Sequence, residues 1–274
     1  MRKRSLAVTT FVAMLLIARA ASGATVDGAN IHWSSTGSGS KTLIFVHGWT
    51  CDDSSWRSQV PVVSKEYRVI TLDLPGHGRS GAPKGGKFSM ELFARAVEAV
   101  RAEAKVDRAI LVGHSMGTPV IRLYALMYPQ RVSALVLVDG LVQIPGATGG
   151  FRAPTMKGEA GRMTREVMVR GMFSTATVQP LREHILKMML GTPEATAAGA
   201  MEATWDSSQW RSDPVKVPAL GIYADQSALA NREGMKRIYP TLEYHEIPGT
   251  GHFLMMEKPE EFNRLLLAFL RKLK

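Results

Sequence analysis

Between residues 42 and 138 the chain alternates short apolar runs with longer segments that carry a helical apolar stripe. Thr42-Leu-Ile-Phe-Val46 is almost continuously apolar, the pattern of a strand covered on both faces. Tyr67-Arg-Val-Ile-Thr-Leu-Asp73, Arg108-Ala-Ile-Leu-Val112 and Val132-Ser-Ala-Leu-Val-Leu-Val138 repeat it. Between these runs, Asp52/Asp53 can cap a helix carrying Trp56 and Val60. Ser89 can cap another with Leu92, Phe93, Ala96, Val97 and Val100 on one stripe, and Thr118–Met127 reads as a third. Strands alternating with helices predict an α/β fold with a doubly wound, mostly parallel sheet. Right-handed crossovers would place the helices on both its faces. Ahead of this region, residues 25–41 predict one strand or two around Ile31–Ser35, then a flexible Thr36-Gly-Ser-Gly-Ser40.

The alternation lapses from Leu141 to Arg211. Pro, Gly and Thr punctuate three helical pieces there, at 159–173, 178–190 and 193–205, the last with Thr192 as cap and Pro193 in its first turn. Seven of the fifteen methionines fall in this stretch, beside Phe151, Phe173, Trp205 and Trp210. The pattern predicts a helical cap at 141–211 over a core of 25–140 and 212–274. Such a methionine-rich insertion suits a pliable hydrophobic lid, although the same residues could simply form its own small core. Strands resume at Val217–Tyr223 and Leu242–Ile247, with a short helix near Asn231–Tyr239 between them. A Gly-flanked loop around His252 follows, and an amphipathic helix from Glu260 to Lys272 closes the chain.

Hydrophobic residues make up 45% of the 274 and charged ones 21%, an ordinary globular balance. The formal charge is +10, yet Arg2, Lys3, Arg4 and Arg19 lie in the first 24 residues, so the remainder carries +6. Its basic residues alternate with acids, as in Glu257-Lys258…Glu260-Glu261, which points away from a nucleic-acid partner. Arg2-Lys3-Arg4, the apolar Leu6–Ile17 and the small residues ending in Ser22-Gly23-Ala24 form the three regions of a signal peptide. Residues 1–24 are therefore expected to direct export to the periplasm or the medium. Cleavage is expected after Ala24, with Ala20 as the alternative site and an uncleaved anchor as the alternative fate. No stable membrane span is expected after cleavage. Cys51 is the only cysteine, which excludes an intrachain disulfide and reads as a small filler.

The chemistry centres on Gly113-His-Ser-Met-Gly117, with a strand pattern before it and a helix pattern after it. In that context G-x-S-x-G is a nucleophile elbow: Ser115 stands on a cramped turn with its hydroxyl clear of the sheet. A serine hydroxyl needs a base to take its proton and a third group to orient that base. His252 is the best candidate base, being in a loop after the last strand from which it can reach across the strand ends. His47 and His77 read as turn-builders and His114 as a packed or hydrogen-bonded residue. His32, His184 and His245 read as structural or exposed, and no histidine pair has metal-ligand spacing. The backbone amides of Met116 and Trp49 are the expected oxyanion donors.

Phe45-Val-His-Gly-Trp49, Asp73-Leu-Pro-Gly-His-Gly-Arg-Ser80, Gly113-His-Ser-Met-Gly117 and Gly251-His252-Phe-Leu, in this order, resemble the α/β-hydrolase fold superfamily. The likeness spans about residues 30–274 and is closest to capped esterase, lactonase and peroxidase-like members. It implies Ser115 as nucleophile, His252 as base, Trp49 and Met116 as oxyanion donors, and residues 141–211 as a cap inserted after the sixth strand. Ser115 at the elbow disfavours members that carry aspartate there. The family's usual acid follows the seventh strand, where counting from Pro218 gives Ser227, with Asp225 two residues early. Other members take the acid from the end of the sixth strand, where Asp139 stands. Asp139 is therefore the expected acid and Asp225 the alternative.

The expectation is a cofactor-free, metal-free serine hydrolase that cleaves carboxylic esters of medium-sized apolar acyl or aromatic type through an acyl-enzyme. Lactone, carbon–carbon and perhydrolytic chemistry use the same parts. A hydrolase-like protein that merely binds a small ligand is the competing class, and the altered acid position is its support.

Overall fold

A computed structural model of the chain describes residues 23–142, 155–206, 208, 210 and 212–273. The leader expected at 1–24 falls almost wholly outside the described residues, as do Phe151 and Arg211. A short ribbon, β1 (Thr25–Val26) with β2 (Ala29–Asn30), precedes the main sheet. The sheet comprises β3 (Trp33–Thr36), β4 (Thr42–Val46), β5 (Arg68–Leu72), β6 (Ala109–His114), β7 (Val132–Val138), β8 (Ala219–Ala224) and β9 (Leu242–Ile247). Across it the described strands run in the order β3-β5-β4-β6-β7-β8-β9. Only the β3–β5 pairing is antiparallel among them. β7, after which the expected cap region begins, is the fifth of these strands along the chain, because β1 and β2 lie outside the sheet.

Every residue of β4, β6 and β8 is buried. That is why these segments read as unbroken apolar runs: helices cover both faces, and each large side chain so buried contributes roughly 1.5–3 kcal/mol. Helices α2 (Met90–Glu103) and α3 (Gly117–Met127) pack on each other and on the sheet. Ser89 caps α2 by accepting from the Leu92 N–H at 3.0 Å. Where one helix was expected after Asp52, the chain makes a single 3₁₀ turn, Asp53–Trp56, and then α1 (Val60–Val63). Pro61 lies in the first turn of α1, where its missing N–H costs nothing. The closing helix α9 (Pro259–Lys272) buries Phe262, Leu265, Leu266, Phe269 and Leu270 against β8, β9 and α1. Glu260 and Glu261 stand in its first turn and Arg271 and Lys272 in its last, matching the helix dipole.

After β7 come α4 (Gly158–Gly171), α5 (Gln179–Gly191) and α6 (Glu194–Trp205). Thr192 does not cap α6 as expected. Its hydroxyl donates instead to the Thr50 carbonyl at 2.9 Å, joining this helical segment to the loop after β4. The methionines there are divided: Met156, Met189 and Met201 are buried, while Met163 is 59% exposed on the outer face. The last helices before α9 are α7 (Arg232–Ile238), capped by Asn231, and the short α8 (Leu254–Glu257). Among the described residues no helix is long and apolar enough to cross a membrane.

Candidate active site

The chain goes from β4 to β5 in one direction across the sheet, then returns to the other side of β4 for β6. Open α/β sheets bind ligands beyond the carboxyl ends of the strands at such a reversal. Here the ends of β4 and β6 carry Trp49 and Ser115.

Ser115 holds φ +54°, a left-handed conformation that is uncommon for a residue with a side chain. Its neighbours enforce it. A Cβ on Gly113 would sit 2.4 Å from the Gly117 carbonyl oxygen, and one on Gly117 would sit 2.4 Å from the Val46 carbonyl oxygen. Only glycine lets strand, turn and helix approach so closely. The Ser115 N–H donates to the Val138 carbonyl at 2.9 Å, and the side chain remains partly exposed. The Met116 amide opens α3, where N–H groups converge and negative charge is favoured.

The second expected oxyanion donor, the Trp49 N–H, belongs to the Gly48–Trp49 peptide unit. The carbonyl of that unit accepts from His47 Nδ1 at 2.8 Å and from the Cys51 N–H at 3.2 Å. His47 Nε2 in turn accepts from the Leu74 N–H at 2.9 Å, which fixes the Nδ1–H tautomer. With its oxygen anchored, a planar trans peptide must aim its N–H the opposite way. Neither the Trp49 nor the Met116 N–H meets an acceptor among the described residues. The Trp49 indole donates to the Ala197 carbonyl at 2.8 Å, a second tie between this loop and the helices α4–α6.

His252 lies in the loop after β9. Its Nδ1 donates to Asp139 Oδ2 at 2.7 Å, leaving Nε2 as the nitrogen free to exchange a proton. Asp139 is buried at the end of β7, takes φ +38°, and accepts from the Ala224 N–H at 3.2 Å through its other oxygen. Burial raises its pKa, but the hydrogen bond and charge of His252, with help from the Ser227 hydroxyl and the Ala224 amide, hold it below the usual carboxylate value. Ser227, at the position where the family usually carries its acid, thus supports an acid placed elsewhere. Asp225 does not reach His252; it accepts from the Gly249 N–H at 3.1 Å near the surface. Ser115 Oγ makes no hydrogen bond to His252 among the described residues. Such contacts are often loose before substrate binds and tighten afterwards.

Two further histidines flank this set. His114 is buried, and its Nε2 donates to the His252 carbonyl at 2.8 Å with the two rings 4.7 Å apart. His77 donates from Nδ1 to the Pro75 carbonyl. The remaining ring nitrogen of each is buried and unpartnered among the described residues. Burial first, and a neighbouring histidine second, push both pKa values down to about 3. An unfolded chain protonates these rings near pH 6.5, whereas the folded chain keeps them neutral to about 3. Their contribution to stability is therefore complete above pH 6.5 and is lost as pH falls from there towards 3. Each histidine costs about 1.4 kcal/mol per pH unit in that window. Thermal melts between pH 7.5 and 4.5 should show a steep fall in Tm, and His77→Gln should flatten it. A Tm independent of pH over that range would contradict this. Burial likewise pushes the Cys51 thiol up to about 12, which removes it as a nucleophile.

The sequence model for the alpha/beta hydrolase fold matches residues 41–167. Over 257 residues the chain is 31% identical to the dihydrolipoyllysine-residue acetyltransferase component of the acetoin cleaving system of Pseudomonas putida, covering 91% of this chain and 69% of that one. The chain belongs to the α/β-hydrolase fold family. Within it, a 2-hydroxy-6-oxononadienedioate/2-hydroxy-6-oxononatrienedioate hydrolase of Paraburkholderia phymatum is 29% identical over 269 residues, covering 88% of this chain and 90% of its own. Among solved structures, a thermophilic esterase from Thermogutta terrifontis superposes with a TM-score of 0.80 at 27% identity, covering 89% of this chain and 94% of that one. The protein is accordingly an α/β-fold hydrolase.

Proposed function

We propose that this α/β-hydrolase is a serine hydrolase that cleaves carboxylic esters through an acyl-enzyme, with Ser115, His252 and Asp139 as its triad. The 2.7 Å hydrogen bond from His252 Nδ1 to Asp139 carries the reading, because it leaves Nε2 as the proton-accepting nitrogen of a base whose partner serine is held in the elbow conformation. Ser115 Oγ attacks the ester carbonyl while His252 Nε2 takes its proton. The developing oxyanion is met by the amides of Trp49 and Met116, each such donor being worth roughly 10²–10³ in rate. His252 returns the proton to the departing alcohol. Water, activated by the same imidazole, then releases the acid and restores Ser115. Helices α4–α6 act as the cap, which the bonds from Trp49 and Thr192 to its partners support.

The Paraburkholderia relative favours a second reading. Its name places a ketone, not an ester, at carbon six, so the bond hydrolysed there is carbon–carbon. That reaction can use the same nucleophile and acyl-enzyme, with the proton delivered to carbon. A panel of p-nitrophenyl esters of short, long and aromatic acyl groups, run beside a vinylogous 1,5-diketo acid, separates the two. Ester turnover with a Ser115-linked acyl adduct by mass spectrometry is expected. Turnover of the diketo acid alone would replace the ester reading.

A further inference from the structure

The loop that carries His252 is joined to α4–α6 through a carboxylate. Glu257 Oε2 accepts from the Gly251 N–H and from the Ser174 hydroxyl at 3.1 Å, while Oε1 accepts from the Thr177 hydroxyl. The neighbouring amide, that of His252 itself, donates to the Met172 carbonyl at 3.1 Å. Contact here is close enough that a Cβ on Gly251 would stand 2.7 Å from that carbonyl oxygen. The strap on the other side is itself organised. The Ser174 N–H donates to Thr177 Oγ1, and Arg182 donates to the Thr177 and Ser174 carbonyls at 2.6 and 3.2 Å. The Arg182 guanidinium also lies 5.8 Å from the centre of the Phe173 ring. Thr177 is buried and Ser174, Gly251 and Glu257 are half-buried, so this junction is better sheltered than a surface ion pair.

We propose that Glu257 is a positioning residue: it fixes the base-bearing loop to the strap Ser174–Thr177, so that His252 takes its working place only while the cap is docked. The proposal rests on the reading of His252 as the base. Two bonds hold the base from the core, Asp139 on its ring and His114 on its carbonyl. Glu257, in α8 of the core, holds the Gly251 N–H, while from the cap Met172 accepts from the His252 N–H and Ser174 and Thr177 hold the Glu257 carboxylate. Cap displacement would therefore release the His252 N–H and leave the Glu257 carboxylate without its two hydroxyl partners, so that the imidazole can drift. A displacement of about 1 Å can cost on the order of 10²-fold in rate.

The test compares Glu257→Ala, Glu257→Gln and the double variant Ser174→Ala/Thr177→Val, the last breaking the junction from the cap side alone. Glu257→Ala and the double variant should each lower kcat about 10- to 100-fold with KM within about twofold. Glu257→Gln should stay within about threefold of wild type, since its amide can still accept from Gly251 and donate to the Thr177 hydroxyl. Hydrogen exchange should accelerate in both 172–178 and 249–254 whichever side is cut. A double variant with unchanged kcat and unchanged exchange at 249–254 would overturn the proposal, leaving Glu257 a local support of its own loop. A wild type without Ser115-dependent turnover sinks the hydrolase reading instead, and the exchange experiment still decides the coupling.

Discussion

Ser115→Ala should abolish turnover, with kcat down by roughly 10⁶-fold, and leave the fold intact. The magnitude follows from the proposed acyl-enzyme mechanism: without Oγ no covalent intermediate forms, and only the proposed oxyanion donors and substrate binding remain to assist water. The fold should survive because Oγ has no hydrogen-bond partner among the described residues, and alanine meets the same left-handed backbone that serine already tolerates at φ +54°. Tm should accordingly move by no more than a few degrees. KM should change little, since in the proposed mechanism the carbonyl is still received by the amides of Trp49 and Met116. Labelling by a fluorophosphonate should disappear with the activity. Residual turnover within about 100-fold of wild type would instead mean that a water molecule, or another side chain, attacks the substrate. Undiminished ligand affinity in a protein that no fluorophosphonate labels would favour the binding-protein alternative.

Why the elbow could be read from sequence and the acid only weakly is a matter of range. Everything that makes Ser115 unusual lies within a few residues of it: an apolar strand, two glycines demanded by backbone contact, and a helix start. The sheet was legible for the same reason, since burial on two faces writes itself locally as an apolar run. Asp139 and Asp225 both follow strands, and nothing local separates them. Their difference is set by where the loop after β9 returns, which brings His252 to Asp139 across 113 positions and leaves Asp225 beside Gly249. Thr192 departs from the expected cap because a good capping residue also makes a good tertiary donor, and the Thr50 carbonyl lies within its reach. Glu257 left no trace in the sequence at all. Its hydroxyl partners lie 83 and 80 positions away, on a segment whose placement only packing decides.

Asp139→Asn should lower kcat by roughly 10⁴-fold, whereas Asp225→Asn should stay within about twofold of wild type. The asymmetry follows from the partners of the carboxylate. One oxygen of Asp139 faces the His252 Nδ1–H and the other faces the Ala224 N–H. The His252 Nδ1–H, the Ala224 N–H and the Ser227 hydroxyl thus all meet a group that only accepts, whereas an asparagine offers one acceptor and one donor. If its oxygen stays on the Ala224 amide, its NH₂ faces His252 and requires Nδ1 to be the bare nitrogen. The proton then resides on Nε2, the tautomer that cannot take a proton from Ser115. If the amide turns over, His252 keeps its tautomer, but NH₂ meets the Ala224 N–H and a buried donor is stranded. Either way the negative charge that stabilises the imidazolium is lost. An asparagine has no proton to lose, so raising the pH from 6 to 9 cannot restore the missing charge and should not rescue the variant. Asp225→Asn changes only a bond to the Gly249 N–H near the surface, which an amide oxygen accepts equally well. The measurement is kcat for both variants on the preferred ester across that pH range. Near-native rates for both, or a larger loss at residue 225 than at 139, would remove Asp139 from the triad.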